Sequence, residues 1–278
     1  MKNIIPKTYL ETLEYLNSGD YILLAGGTDL MIKRRSWSNT LPEFKKSTLL
    51  IFNLQEMKYM FEEDDFLHIG AGTCLEDIKD NDLTPDLLVE AINIMASPAI
   101  RHMGTLGGNI GNASPAGDSL PVLYTLNAII VLESIEAVRE VPISDFIVGP
   151  GRKSIKSNEI IKEIKIPTRQ FTQMKFEKVG GRKADAISKL SFAGVVEISN
   201  NIIQDFRVAF GAVGPTVVRK KILENEIIGQ TLIEMKQDVK NILKSYEPFI
   251  TPIDDQRSNK EYRKEVALNI LESFILNI

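Results

Sequence analysis

At 278 residues, the chain is long for one domain and comfortable for two. Its 44% hydrophobic and 25% charged content is that of an ordinary globular protein, and 33 basic against 37 acidic residues give a formal charge of −4 with no long like-charge block. That balance argues against nucleic-acid binding, and no run of about 18 apolar residues argues for a membrane helix.

One cysteine, Cys74, and two histidines, His68 and His102, rule out a disulfide framework or a cysteine-ligated cluster within the chain. The same count makes a zinc site unexpected, so no metal ligands are assigned. The N-terminal stretch is charged and broken by Pro6, without the apolar core of a signal peptide. A cytoplasmic, reduced setting is expected.

In chain order, Leu10, Leu13 and Leu16 predict a helix over 8–18 that Thr8 caps. Residues 21–25 read as a strand delivering the chain into Ala25-Gly26-Gly27-Thr28-Asp29, followed by a brief helix or extended return over 29–36. Its Lys33-Arg34-Arg35 cluster reads as a solvated helix end. Strands are predicted over 47–53 and 68–72. Thr73 and Glu76 have capping-box spacing for the next helix. Residues 85–96 predict a helix burying Leu87, Leu88, Ala91, Ile92 and Met95.

There follows the most informative stretch, Ser97 to Asp118, SPAIRHMGTLGGNIGNASPAGD. Two adjacent glycines sit between the hydroxyl of Thr105 and the amide of Asn109. Paired glycines allow close backbone approach and positive φ, so successive N–H groups can face an anion. Together with Gly26-Gly27, they suggest one extended, phosphate-bearing ligand held at two places. Arg101 could reach a phosphate or form a surface salt bridge, and His102 reads as a loop histidine. Cys74 reads as a small buried filler.

Beyond Asp118, a short helix over 120–126, a buried strand over 128–133, a loop-rich segment over 142–151 and a strand over 159–166 are expected. The chain changes character around 167–172, where a domain boundary is placed. The second part predicts strands over 174–179, 190–199 and 202–212, the last two forming a hairpin about Asn200-Asn201. Helices near 232–246 and 260–276 complete an α+β unit.

These motifs resemble the FAD-binding medium subunit of the molybdenum hydroxylases, the xanthine dehydrogenase and aerobic carbon monoxide dehydrogenase family. AGGTDL resembles the family's first pyrophosphate loop and IGAGTCLEDI the strand and helix start that follow. ASPAIRHMGTLGGNIGNASPAGDSLPVL resembles its second loop, and FGAVGPTVVR and EYRKEVA its C-terminal domain. The resemblance covers nearly the whole chain. It implies an α+β fold: a vanillyl-alcohol-oxidase-like (PCMH-type) FAD-binding domain over 1–168, of two α/β subdomains (about 1–55 and 56–168), then a C-terminal α+β domain over 172–278.

The resemblance further implies FAD as cofactor, wrapped first by Leu24, Ala25, Gly26, Gly27, Thr28, Asp29, Leu30 and Met31. Thr105, Leu106, Gly107, Gly108 and Asn109 would bring N–H groups to its diphosphate. Asp118 matches an acidic position on the flavin nucleotide, or caps the helix after it. Lys189 matches a lysine beside the isoalloxazine ring, or is a solvated lysine. Met95 and Ile161 match positions that pack against the cofactor. No catalytic side chain is implied, since the cofactor carries the chemistry.

As function, the resemblance implies an oxidoreductase flavoprotein subunit that takes electrons from 2Fe–2S clusters on a small partner subunit. A molybdopterin-binding large subunit would complete a heterotrimer, a dimer of heterotrimers would fit the family, and the acceptor would be NAD or another molecule. The alternatives are a stand-alone FAD-dependent reductase of the same fold and a non-catalytic nucleotide-binding assembly module.

Overall fold

The computed structural model describes residues 2–35, 43–182 and 185–278. The chain forms two compact units. The first holds the chain up to Thr84, with Ala96–Ala113 and Ala128–Pro167; the second holds Pro85–Met95, Ser114–Asn127 and Thr168–Ile278.

In the first unit, β1 (Asn3–Ile4), β2 (Ile22–Leu24) and β3 (Thr48–Leu50) form a parallel sheet in the order β1-β3-β2. Helix Tyr9–Ser18 makes the crossover that parallel pairing requires. Its first turn is closed by the Thr8 hydroxyl, which accepts from the Glu11 N–H at 3.1 Å. The buried face is Thr12, Leu13 and Leu16, whereas Leu10, expected on that face, is 58% exposed. Successive three-residue steps fall short of a full turn, so the stripe drifts around the helix and leaves Leu10 in solvent.

A five-stranded antiparallel sheet follows, ordered β4-β5-β10-β6-β7. Its members are β4 (Met60–Glu63), β5 (Phe66–Gly70), β6 (Ile129–Glu133), β7 (Val138–Pro142) and β10 (Ile160–Pro167). The short ribbon of β8 (Ile147–Gly149) and β9 (Arg152–Lys153) lies within the expected loop-rich segment. Two strands of this sheet, β4 and β7, go beyond those the sequence predicts; the residues Met60–Glu63 are mostly exposed and Val138–Pro142 alternate between exposed and half-buried, so neither has an apolar run to announce it. The β4–β5 turn is carried by Asp64 and Asp65, both at positive φ. Strand β10 is central, with Ile160, Ile164 and Ile166 buried, and its register against β6 shifts between Ile161 and Glu163.

The expected capping box at Thr73 does not form. Cys74 occupies the N-cap position of helix Leu75–Lys79 without a side-chain cap. The Thr73 hydroxyl instead exchanges hydrogen bonds with the backbone of Tyr59, and Glu76 is drawn into ion pairs with Arg101 and Lys79. A charged partner competes better for a carboxylate than a backbone N–H does.

The second unit is built on an antiparallel sheet of β11 (Gln173–Val179), β12 (Leu190–Ser199), β13 (Ile202–Gly211) and β14 (Val218–Arg219), in that order. Asn200 and Asn201, at φ 50° and 63°, make the two-residue hairpin turn. The core gathers Phe192, Phe206, Phe210, Phe274 and Tyr246, with Phe192 and Phe210 edge to face at 5.3 Å. Helix Lys260–Leu276 buries Ala267, Ile270, Leu271, Phe274 and Ile275 against it. The expected helix over 232–246 is two, Leu232–Gln237 and Val239–Tyr246, divided at Asp238. Helix Lys221–Ile227 was not anticipated.

Two segments from the first half of the sequence belong to this second unit. Helix Asp86–Asn93 buries Leu87, Leu88, Ala91 and Ile92 as expected, and helix Ser119–Thr125 is buried throughout. No helix among the described residues is long and apolar enough to cross a membrane.

Candidate functional site

Strand β2 ends at Leu24, and the chain enters Ala25–Asp29 at the carboxyl edge of the parallel sheet, where ligands of α/β sheets gather. Gly27 has φ +71°, a conformation that favours glycine. Gly26 is required for a different reason: a Cβ there would stand 1.7 Å from the carbonyl oxygen of Met103. The first loop thus lies backbone to backbone on the segment leading into the second. Among the described residues, the N–H groups of Gly26, Gly27, Thr28, Asp29 and Leu30 have no hydrogen-bond acceptor. Consecutive unpaired amides after a glycine turn form an anion-binding concavity.

The second loop behaves differently from expectation. Thr105 caps helix Leu106–Asn112, its hydroxyl accepting from Gly108 N–H at 3.0 Å. Leu106 N–H donates to Thr73 O at 3.3 Å, Gly107 N–H to Ala71 O at 3.1 Å and Asn109 N–H to Thr105 O at 2.9 Å. All four amides are therefore spent inside the protein, and the expected cradle of N–H groups from 106–109 is not what this loop presents. A Cβ on Gly107 would meet Ala71 Cβ and O at 2.6 Å, so this glycine lets the helix start sit on the end of β5. What the loop offers to a ligand is bare backbone at Gly108 and the side chains of Thr105 and Asn109.

Both loops line one cavity of about 820 Å³ in the first unit. Leu24, Ala25, Gly26, Gly27, Thr28, Asp29 and Leu30 contribute from the first loop, Thr105, Gly107, Gly108 and Asn109 from the second, and Ile161 from β10. Met31 and Leu106 flank this lining: Met31 is 39% exposed and Leu106 is fully buried in the core.

Five cations, Lys33, Arg34, Lys46, Lys153 and Lys156, face the cavity against the carboxylates of Asp20, Asp29 and Glu159. The carboxylates are already engaged. Asp29 accepts from the Asn112 side chain at 2.9 Å, Glu159 is paired with Arg139 at 2.7 Å, and Asp20 with Lys46. Lys33 is bonded to the other end of the Asn112 amide, and Lys153 Nζ donates to Gly111 O at 2.6 Å. Burial and the nearby Lys33 push the Lys153 ammonium below the ordinary lysine range.

Lys33, Asn112 and Lys153 are site residues that sequence reasoning missed. In the sequence, Lys33 reads as part of a solvated basic cluster. Asn112 lies one helical turn beyond Gly108, a spacing that places both on one face. Lys153 follows the turn at Pro150-Gly151, which by itself signals only a loop.

Met95, Asp118 and Lys189 belong to the second unit. Met95 is buried there. Asp118 precedes its helix without capping it; one oxygen is 2.7 Å from Lys178 Nζ and the other accepts from the Ser188 hydroxyl. Burial pushes this carboxyl up, and Lys178 and the Ser188 hydroxyl counter only part of that rise. The Lys189 ammonium stands 5.2 Å from the ring centre of Tyr262, a cation–π contact rather than simple solvation. Arg101, expected at the surface if ion-paired, is ion-paired with Glu76 but buried.

The family model described as the FAD binding domain in molybdopterin dehydrogenase matches residues 1–169, and that of the CO dehydrogenase flavoprotein C-terminal domain matches residues 172–278. The glyceraldehyde dehydrogenase medium chain of Sulfolobus acidocaldarius is 33% identical over 92% of this chain and 90% of its own. The carbon monoxide dehydrogenase medium chain of Hydrogenophaga pseudoflava is 28% identical over 94% and 91%. A solved structure of carbon monoxide dehydrogenase from Hydrogenophaga pseudoflava superposes with a TM-score of 0.88 and 25% identity, covering 98% of this chain and 95% of that one.

Proposed function

Since the chain belongs to the flavoprotein-subunit family of the molybdopterin dehydrogenases, we propose that it is the electron-transferring FAD subunit of a multi-subunit molybdenum hydroxylase. In this reading it receives electrons from a 2Fe–2S partner subunit, with a molybdopterin-binding large subunit completing the complex, and passes them to an acceptor such as NAD.

The observation that carries the assignment is the run of amides at Gly26–Leu30, unpaired among the described residues, lining a cavity with more cations than carboxylates. The residues present fit the cofactor: a diphosphate needs N–H donors, close backbone approach and compensating positive charge, and all three are in place. Gly26, Gly27 and the N–H groups through Leu30 would hold the diphosphate, with Lys33 and Lys153 supplying charge. Asn112 holds the Asp29 carboxylate in a hydrogen bond, and that charge is outnumbered by the cations lining the cavity. Leu24, Thr105, Gly108, Asn109 and Ile161 would line the remainder. The assignments for Met95, Asp118 and Lys189 rest on the resemblance alone.

When bound, FAD supplies the redox chemistry, accepting and donating one or two electrons. The chain's part is to bind it, orient it and set its electrostatic surroundings. The test is reconstitution: the chain with its two partner subunits should transfer reducing equivalents from substrate to NAD, and omission of the chain should abolish that transfer. A chain that binds FAD but neither assembles with a 2Fe–2S subunit nor changes acceptor reduction would overturn the subunit assignment.

A further inference from the structure

We propose that Cys74, Asp77 and His102 form a binding site for one Zn²⁺-class ion beside the second glycine loop. The Sγ of Cys74, a carboxylate oxygen of Asp77 and an imidazole nitrogen of His102 all lie within 4.8 Å of one another. Ligands of a tetrahedral zinc ion sit about 2.0–2.3 Å from the metal and so stand about 3.3–3.8 Å apart, an approach of about 1 Å from the widest spacing here. Small side-chain rotations therefore close this trio on an ion.

The donors are held on a fixed frame. Cys74 and Asp77 are one turn apart at the start of helix Leu75–Lys79, and His102 follows helix Pro98–Arg101. The two segments are tied by Leu75 N–H to Gly104 O at 2.9 Å, by Leu106 N–H to Thr73 O at 3.3 Å, and by the buried Arg101–Glu76 ion pair between neighbouring residues. A site whose backbone is already in place loses little entropy when the ion binds.

The donor set selects the ion. One thiolate, one imidazole and one carboxylate suit zinc and exclude the hard, all-oxygen preference of Mg²⁺ or Ca²⁺. Counting cysteines and histidines points away from zinc, because that count leaves out the carboxylate that completes the set. Three protein ligands leave a fourth position open to water or to an incoming donor. Without metal, burial and the Asp77 carboxylate push the Cys74 thiol up, so it is not an activated nucleophile. Metal binding displaces the thiol proton to solvent, and affinity should rise with pH. Gly72, Leu75, Gly104 and Thr105, close in sequence to these donors, line the large cavity, so the ion would tie together two segments of its wall.

The test uses the full chain, titrated with Zn²⁺ alone and with Co²⁺ alone, both loaded with FAD and free of it. Cys74 is the chain's single cysteine, so every thiol readout reports one position. The expected result is one equivalent of Zn²⁺ bound, slowed alkylation of Cys74, and a thiolate-to-metal charge-transfer band with Co²⁺. C74S and H102N should remove binding, D77N should weaken it by about tenfold or more, and H68N should leave it intact, with circular dichroism reporting the fold of each. Zn²⁺ that leaves Cys74 alkylation unchanged in the wild type, or that binds C74S as tightly, would overturn the site.

Discussion

Glycine in the first loop is constrained by neighbours as much as by the ligand. Gly26→Ala would drive a methyl into Met103 O, so we expect a loss of about 1–3 kcal/mol in stability and most of the bound FAD. Gly108→Ala meets only the Thr105 hydroxyl, at 2.8 Å, and should cost less in both respects. Thermal unfolding and flavin absorbance of the two purified variants check the contrast; equal losses would mean that the loop contact at Met103 is not what Gly26 protects. Lys153 makes a sharper case because its ammonium is partly desolvated, with Lys33 nearby. Lys153→Met should weaken FAD binding about tenfold or more, the worth of one charge-assisted hydrogen bond. It should leave FAD-free stability within about 1 kcal/mol, since the lost hydrogen bond to Gly111 O is offset by relief from burying a cation. Parallel losses of both would recast Lys153 as structural.

At the scale of elements, the long C-terminal helix shows how a terminus is anchored. Asn259 caps it by accepting from Tyr262 N–H at 2.8 Å, and the preceding turn converges on Asp255. One oxygen of Asp255 accepts from Arg257 N–H at 2.8 Å, Ser258 N–H at 3.2 Å and Arg263 Nη2 at 2.6 Å. The Arg263 guanidinium, with the backbone donors, lowers the Asp255 carboxyl to about 2. A carboxyl depressed on folding contributes stability that is complete above its ordinary value near 3.8 and is lost as pH falls toward about 2. Asp255→Asn should therefore be less stable than the wild type at neutral pH by about 1–2 kcal/mol, with the difference closing in acid. Urea unfolding across that range checks this; a pH-independent difference would contradict it.

Much of this level was legible in the sequence. The Thr8 cap, the Asn200-Asn201 hairpin, the buried face of Asp86–Asn93 and the helix Lys260–Leu276 all follow from local chemistry and period. The failures share a cause in partners distant in sequence. Thr73 and Glu76 have capping-box spacing, yet Tyr59 and Arg101 claim them. The amides of 106–109 look free in a Gly-Gly turn, yet Ala71 and Thr73 accept two of them and Thr105 the other two. Lys153 becomes a site residue only because β8 and β9 pair and bring it to Gly111.

For the whole molecule, two compact units divide the work unequally. The first gathers both glycine loops around one cavity, and the second holds a separate aromatic core on its own four-stranded sheet. Resemblance and fold agree on an FAD-binding oxidoreductase subunit, and the binding groups proposed for it are amides from the first loop, bare backbone and side chains from the second, and the cations Lys33 and Lys153. The most direct test of that division is equilibrium titration of the FAD-free chain with FAD and, separately, with FMN. Diphosphate recognition at Gly26–Leu30 requires FAD to bind at least about tenfold more tightly, one unit per chain. Equal affinity for FMN, or a folded chain that binds neither, would contradict it.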